Sequence, residues 1–264
     1  TGQNDDLDDG DIVYHITVSV DTDNTADTEY DAINPNDVTV TNTDNDTVGI
    51  TLSTTTLALT EGGATGTFTV VLNSEPTTDV VIDISSNDSA ATVDLSQLTF
   101  TNLNWDTPQT VTVTASEDAN TISETPTITV AINDAASDDT YDAVANQTVN
   151  VTVTDDDTAG ITVSNISGNT TEAGATSTFT VVLTTLPTGN VVITAVTDDA
   201  TEGVVTTGNT LTFTTGNWST PQTVIVTGQD DDLDDGDIEY HITVSVDTDN
   251  TADTEYDAIN PNDV

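Results

Sequence analysis

The sequence contains no lysine and no arginine among its 264 residues, against 47 aspartates and glutamates and two histidines, so its formal net charge at pH 7 is -47. Self-repulsion on this scale opposes a compact state unless cations bind. The missing basic side chains exclude a phosphate-binding patch, and with it nucleic acid as a partner. An anionic membrane surface is excluded on the same ground.

Cysteine is absent as well, which excludes disulfides. No long apolar run occurs, so we expect no membrane insertion by this segment. High acidity with few aromatic residues can indicate disorder, but the apolar residues here are patterned. The segments TFTVVL, QTVTVTA and QTVNVTV alternate apolar residues with Thr and Asn, which is typical of half-buried strands. No stretch has helical periodicity, and the chain is predicted to be all-β.

Internal repeats set the domain organisation. Residues 227–264 repeat residues 1–38 with two substitutions, Asn4 for Asp230 and Val13 for Glu239. A weaker similarity relates the segments that begin at Glu61 and Glu172, and indicates a unit of roughly 110 residues. We predict a complete domain at 48–158, a second domain at 159–264 that lacks its last strand, and in 1–47 the C-terminal part of a preceding domain. The chain is then a window of a head-to-tail array; alternatively, terminal strands are exchanged between chains.

Each domain is predicted to be a Greek-key, immunoglobulin-like β-sandwich. The first strand of the complete domain is expected near 49–60 and the last near 147–154, and such a series of short strands is typical of a sandwich. Trp105 and Trp218 occupy equivalent NW-x-TPQTV segments and are expected to be buried aromatic plugs. Tyr30, Tyr141 and Tyr256, each followed by Asp-Ala, resemble corner tyrosines that hydrogen-bond back to the backbone.

Three segments taken together, TEGGATGTFTVVLNSEPTTDVVI, LTFTNLNWDTPQTVTVTASED and VNVTVTDDD, resemble the Calx-β repeat of sodium–calcium exchangers and large bacterial surface proteins. The resemblance covers essentially the whole chain. It implies a calcium-binding sandwich, often with a cluster of ions that share bridging carboxylates.

Acidic residues distant in the sequence are expected to converge at one pole of each sandwich. There the first strand ends, the loop after the QTVTVTA strand turns, and the last strand ends. Converging carboxylates must be protonated or share a cation, and oxygen-only ligands favour a hard ion such as Ca²⁺, several per domain. For the complete domain the candidate ligands are Glu61, Asp88, Glu117, Asp118, Glu124, Asp155, Asp156 and Asp157.

The other domains repeat the pattern. In the second domain the candidates are Glu172, Asp198, Asp199, Asp230, Asp231, Asp232, Asp235 and Asp237. In the N-terminal piece they are Asp5, Asp6, Asp9, Asp11, Asp44 and Asp46, with Asn45 in place of the middle aspartate of the closing triplet.

Any single surface aspartate is more often a solvated loop residue than a ligand. Asp8, Asp138, Asp139 and Asp234 are interpreted in that way. The DDDLDDGD loop is not an EF-hand, because Leu233 falls at a ligand position when the required glycine is aligned to Gly236. His15 and His241 are expected to pack across strands or face solvent.

No credible catalytic set is present, so the chain is not expected to be an enzyme. The leading interpretation is a structural repeat module of an extracellular filament, adhesin stalk or matrix fibre, stiffened by calcium and contacting copies of itself. The alternatives are a calcium-dependent module that binds cell-surface glycans or a receptor, and a calcium-sensing regulatory domain.

Overall fold

A computed structural model of the chain describes residues 1–230, 232 and 236–264. The contacts divide these residues into two compact units. The first unit comprises Thr1–Leu59, Gly63–Ser116 and Thr125–Val153, and the second comprises Thr60–Gly62, Glu117–Glu124 and Thr154–Val264. The predicted domain boundaries at 47/48 and 158/159 stay predictions.

The prediction of an all-β fold is confirmed. Short 3₁₀ turns at Asp134–Ala136, Asp139–Tyr141 and Thr254–Tyr256 are the helical elements within the described residues. The first eleven strands are β1 (Ile12–Ile16), β2 (Val38–Asn42), β3 (Ile50–Leu52), β4 (Thr56–Thr60), β5 (Thr65–Leu72), β6 (Val80–Ser86), β7 (Ala91–Val93), β8 (Gln97–Phe100), β9 (Gln109–Ala115), β10 (Thr127–Ile132) and β11 (Gln147–Thr154). They are followed by β12 (Ile161–Val163), β13 (Thr176–Leu183), β14 (Val191–Thr197), β15 (Gly203–Thr207), β16 (Thr210–Phe213), β17 (Gln222–Gly228) and β18 (Ile242–Val246).

Strands β3 to β11 form a sandwich of two antiparallel sheets, ordered β3-β5-β9-β7 and β4-β11-β10-β6-β8. The alternation predicted from the sequence decides which side chains face inward. In β5, Phe68, Val70 and Leu72 are buried while Thr65 and Thr67 are exposed. Tyr141 and Phe100 are among the largest fully buried side chains of the same core.

The first predicted strand differs from expectation. One strand was expected over 49–60, but the structure breaks it at Ser53–Thr55, and β3 and β4 join opposite sheets. Local hydrogen bonds support the break, since the Thr54 hydroxyl donates to the Thr56 carbonyl at 2.9 Å. The crossing matters for function because it places the end of β4 beside β11.

Strands β12 to β18 form sheets ordered β12-β13-β17-β15 and β16-β14-β18, around a core that includes Phe179, Phe213 and Tyr256. Strands β1 and β2 pair with each other in a two-stranded sheet. Trp105 and Trp218 are only partly buried and pack against the edges of their cores. Their carbonyls accept from the backbone N–H of Leu72 and Leu183, each at 3.2 Å.

Candidate metal centre

Strand pairing brings the first two candidate ligands together. Glu61 follows β4 directly and Asp155 follows β11 directly, and these strands are neighbours in one sheet. The backbone N–H of Glu61 donates to the carbonyl of Thr154 at 3.0 Å. A glutamate and an aspartate far apart in the sequence are thus held side by side.

The loop after β9 supplies the next candidate ligands. Glu117 and Asp118 follow that strand within three residues. Two groups of three carboxylates form, Glu61 with Glu117 and Asp156, and Glu61 with Asp118 and Asp155. Within each group the ligand oxygens lie within 4.8 Å of one another. Glu61 belongs to both groups, and we call these groups the two triads.

Glu61 is the buried member of the triads, with 4% of its surface exposed. Its Oε1 accepts from the backbone N–H of Asp156 at 3.4 Å, while its Oε2 is buried without a hydrogen-bond partner. Asp155 has a similar division, since its Oδ1 accepts from the Asp157 N–H at 2.8 Å and its Oδ2 is buried and unpartnered. A buried carboxylate oxygen without a donor is costly, so both atoms fit the donor set of a metal ion.

The electrostatics of the triads point the same way. Burial raises the pKa of Glu61, and the charges of Asp155, Asp118 and Glu117 raise it further against the opposing hydrogen bond from Asp156. Burial likewise raises the pKa of Asp155, aided by the neighbouring acidic residues and opposed by the Asp157 N–H. Carboxylates that resist joint ionisation are stabilised in the charged form by a shared cation.

Three other candidates of the complete domain lie outside the triads. Asp88 lies in the first unit, is exposed, and its Oδ1 accepts from the Ala90 N–H at 3.0 Å. Glu124 is partly buried, as is Asp157, whose backbone N–H contacts Asp155. Their assignment as ligands stays a prediction.

The second domain has a different arrangement. Glu172 is exposed. It lies between Thr171 and Ala175, which form an isolated β-bridge, whereas Glu61 directly follows strand β4. Asp198 contacts His241, with the imidazole Nδ1 at 3.4 Å and the backbone N–H of His241 donating at 2.8 Å. Asp199 accepts from Thr201, and Asp230, Asp232 and Asp237 are exposed. Asp231, Asp234 and Asp235 lie outside the described residues. No triad forms here among the described residues.

In the N-terminal piece, some candidates are joined by backbone hydrogen bonds. Asp44 accepts from the N–H groups of Gly10 and Asp46, at 2.7 and 2.8 Å, and these bonds lower its pKa. Burial raises the pKa of Asp46, and the charges of Asp44, Asp6, Asp5 and Asp8 add to the effect. Asp5, Asp9, Asp44 and Asp46 line one small pocket, whereas Asp6 and Asp11 are not among its lining residues. His15 faces solvent and its Nδ1 lies 3.1 Å from the Thr39 hydroxyl across the strand pair.

The interpretation of Asp138 as a solvated residue is wrong. Asp138 is 4% exposed and accepts five hydrogen bonds, two from Thr77, one from Thr78 and two from Thr140, at 2.6–3.0 Å. Burial alone would raise the pKa of Asp138, but these donors outweigh it and hold the pKa well below its ordinary value. The signal in the sequence is an aspartate three residues before the corner tyrosine, which recurs as Asp253 before Tyr256.

The loop after β9, Glu117–Glu124, which we call the triad loop, also contacts the rest of the second unit. The backbone N–H of Leu186 donates to the carbonyl of Ala119 at 2.6 Å, and the Thr121 hydroxyl donates to Glu255 Oε2. These bonds start one and three residues after the candidate ligand Asp118. The segment that would hold the ion is therefore also a packing segment.

Comparisons with known proteins give structural likeness at low similarity. No family model matches the chain, and no curated protein matches it. A Bacteroides ovatus GH5 xyloglucanase in complex with a XXXG heptasaccharide matches 40% of this chain and 18% of its own length, at 15% identity and a TM-score of 0.29. The chain therefore spans less than a fifth of that enzyme.

Two further solved structures match larger fractions of this chain and of their own chains. The CBD12 of CALX1.2 matches 75% of this chain and 79% of its own, at 13% identity and a TM-score of 0.32. Domains 4 and 5 of the S-layer protein SbsC match 45% of this chain and 59% of theirs, at 20% identity and a TM-score of 0.29. Among the described residues, no helix has the length and apolar character needed to cross a membrane.

Proposed function

We propose that this chain is part of an extracellular structural protein whose sandwiches, and the chain between them, are stiffened by calcium. The observation that carries the proposal is Glu61, a buried glutamate with an unpartnered oxygen that two triads share. In a chain without lysine or arginine, no basic side chain is available to neutralise it.

Calcium fits the donor set better than other common ions. The triads offer only carboxylate oxygens, which suit hard cations, and cysteine is absent from the chain. Ca²⁺ accepts six to eight oxygens at irregular geometry, whereas Mg²⁺ demands a near-ideal octahedron. Carboxylates drawn from three separate segments, after β4, β9 and β11, favour the ion that tolerates irregular geometry.

Two ions sharing Glu61 account for the arrangement of the triads. One ion would lie with Glu117 and Asp156, the other with Asp118 and Asp155, and Glu61 would bridge them. The bridge explains why the most buried carboxylate of the triads is also the one that both triads share. A pair of divalent ions would neutralise the local excess of negative charge that raises the pKa values of Glu61 and Asp155.

The contacts of the triad loop support stiffening of the chain. Glu117 and Asp118 would be fixed by the ions, and the adjacent Ala119 and Thr121 hydrogen-bond to Leu186 and Glu255 within the second unit. Fixing the loop therefore also fixes those contacts. A structural role agrees with the near-identical repeat of 1–38 in 227–264, since repeated modules build length. The absence of a catalytic role and the contacts with copies of itself are part of this proposal.

The test is calcium binding measured by isothermal titration calorimetry on the full chain, with Glu61→Gln and Glu172→Gln as a matched pair. We expect the wild type and Glu172→Gln to bind calcium at the triads and Glu61→Gln to lose about two ions. Equal stoichiometry in all three proteins would overturn the assignment of the triads. Electron microscopy of longer native material separates the roles, because fibres support the structural one and isolated particles with glycan binding support the adhesion alternative.

A further inference from the structure

Two turns in the chain are built in the same way. Ser74-Glu75-Pro76 follows β5, and Thr185-Leu186-Pro187 follows β13. In the first, the buried hydroxyl of Tyr141 donates to the carbonyl of Ser74 at 2.6 Å. In the second, the buried hydroxyl of Tyr256 donates to the carbonyl of Thr185 at 2.9 Å. We call these the clamped turns.

A buried aspartate accepts hydrogen bonds from the residues that directly follow each clamped turn. Asp138 accepts from the backbone N–H groups of Thr77 and Thr78, and Asp253, 3% exposed, accepts from that of Thr188 at 2.7 Å. A proline inside each turn fixes one more backbone angle. Each turn is thus hydrogen-bonded at its first residue and directly after its proline, and each presents the backbone N–H group of the residue before that proline.

The N–H group presented by each clamped turn has an equivalent partner. Glu75 N–H donates to the carbonyl of Asp6 at 2.7 Å within the first unit, and Leu186 N–H donates to the carbonyl of Ala119 at 2.6 Å within the second. Aligning TGQNDD at residue 1 with TASEDA at residue 114 puts Asp6 and Ala119 at the same place, in the acidic loop. One hydrogen bond therefore occurs twice, although the side chains at both of its ends differ.

We propose that the clamped turn is a docking surface for the acidic loop that precedes it in the chain, and that Tyr141 and Tyr256 are the positioning residues of this surface. Recognition through main-chain atoms explains why Glu75 with Asp6 and Leu186 with Ala119 form the same contact. The tyrosine fixes the carbonyl of Ser74 or Thr185, and the peptide group that begins at that carbonyl carries the donating N–H. The proposal does not depend on calcium at the triads.

The two copies differ in charge, which gives a second consequence. The first contact joins two acidic residues, Glu75 and Asp6, whereas the second joins the uncharged residues Leu186 and Ala119. An aspartate precedes the loop residue in both contacts, Asp5 in the first and Asp118 in the second, so the contacting pair itself makes the difference. Repulsion between exposed charges weakens as ionic strength rises. We therefore expect added sodium chloride to protect the Glu75 amide from hydrogen exchange more than the Leu186 amide.

The direct test is nuclear magnetic resonance on the full chain with saturating calcium chloride. Scalar couplings across the hydrogen bonds should join the Leu186 nitrogen to the Ala119 carbonyl carbon and the Glu75 nitrogen to the Asp6 carbonyl carbon. This measurement needs no variant, so misfolding cannot obscure it. Absence of both couplings, with both amides exchanging freely, would overturn the proposal.

The positioning role is tested with Tyr256→Phe and Tyr141→Phe, each of which serves as the control for the other. Each substitution removes two hydrogen bonds, to the carbonyl and to the side-chain hydroxyl of Ser74 or Thr185. Exchange at the amide of the same turn should therefore speed up by at least roughly tenfold, and the other turn should be unchanged. The core amides of Val113 and Val226 report whether the fold survives. Unchanged exchange at Leu186 in a folded Tyr256→Phe protein would refute the positioning role, and calorimetry on the same samples reports calcium binding separately.

Discussion

Replacing Glu61 by glutamine should change the stability of this protein in opposite directions with and without calcium. The substitution keeps the size of the side chain and removes its charge. Without a cation, Glu61 places a 4% exposed carboxylate, with one unpartnered oxygen, beside Asp155, Asp118 and Glu117. With calcium bound, the same carboxylate is the ligand common to both triads.

The structure gives an order of magnitude for each direction. Leaving a buried group unsatisfied costs about 1–3 kcal/mol, so Glu61→Gln should stabilise the chelated protein by about that amount. An ion bound only by the native state at 100 times its Kd adds about 2.7 kcal/mol. Loss of two such ions removes about 5 kcal/mol. After the gain of about 1–3 kcal/mol from removing the buried charge, the variant in calcium should be less stable than the loaded wild type by about 2–4 kcal/mol.

Denaturant unfolding in calcium chloride and in chelator measures both free energies. Glu172→Gln is the control, because Glu172 is the equivalent residue but is exposed, and substitutions of exposed residues usually change stability by less than about 0.5 kcal/mol. The reasoning is refuted if Glu61→Gln shifts stability by the same amount and in the same direction under both conditions. It is also refuted if chelation leaves the wild-type unfolding midpoint where it was.

Three further predictions follow from the buried and clustered acids. In chelator, the free energy of unfolding should fall as pH rises above 4.5, the ordinary pKa of glutamate. The reason is the raised pKa of Glu61, which means that the folded state binds protons more tightly than the unfolded state. In calcium the pH dependence should reverse, because the ion competes with protons for the carboxylates, and thermal unfolding at several pH values measures both cases. Asp138→Asn should lower the free energy of unfolding by about 2–3 kcal/mol, because an amide nitrogen cannot accept from Thr77 and Thr78. The control is Asp139→Asn at an exposed position, which should leave the free energy nearly unchanged; denaturant unfolding measures both variants. At neutral pH the Asp138 carboxylate contributes stability that is lost as pH falls below its ordinary value of 3.8, the direction given by its lowered pKa, so the stability gap between wild type and Asp138→Asn should narrow in acid.

The strands could be predicted from the sequence because the outward face of each is polar. In β9 the pattern QTVTVTA places Val111 and Val113 inside, and the same alternation predicts β5 and β11. The break at Ser53–Thr55 was missed although the sequence carries a signal for it, since four consecutive polar residues separate Leu52 from Leu57. The inward positions also change there, from even-numbered residues such as Ile50 to odd-numbered residues such as Leu59. Alternation of apolar and polar residues shows which face of a strand is buried, but it does not show which of the two sheets the strand joins.

The triads could be predicted only in part. Convergence of the end of β4, the loop after β9 and the end of β11 follows from the topology of a Greek-key sandwich. It is the reason why the candidate ligands include all five triad residues, Glu61, Glu117, Asp118, Asp155 and Asp156. The burial of individual acidic residues does not follow from the topology. Two adjacent aspartates show this, since Asp139 is exposed whereas Asp138 is buried and accepts hydrogen bonds from surrounding backbone and hydroxyl groups. That distinction depends on Thr77 and Thr78, more than fifty residues away in the sequence, and local patterning carries no record of them.

Acidic residues occupy the strand ends for a reason that lies in the sheets themselves. Like charges directly opposite one another on neighbouring strands are destabilising, and this chain has no lysine to place between them. Its cross-strand positions are threonine pairs instead, as at Thr65 with Thr114 and Thr67 with Thr112. Asp83, which does lie within a strand, accepts from the neutral side-chain amides of Gln97 and Asn133 at 2.7 and 3.1 Å. The sheets therefore hold together without cations, and dependence on metal ions concentrates at the poles, so chelation should loosen the loops around Glu61 before it melts the strands.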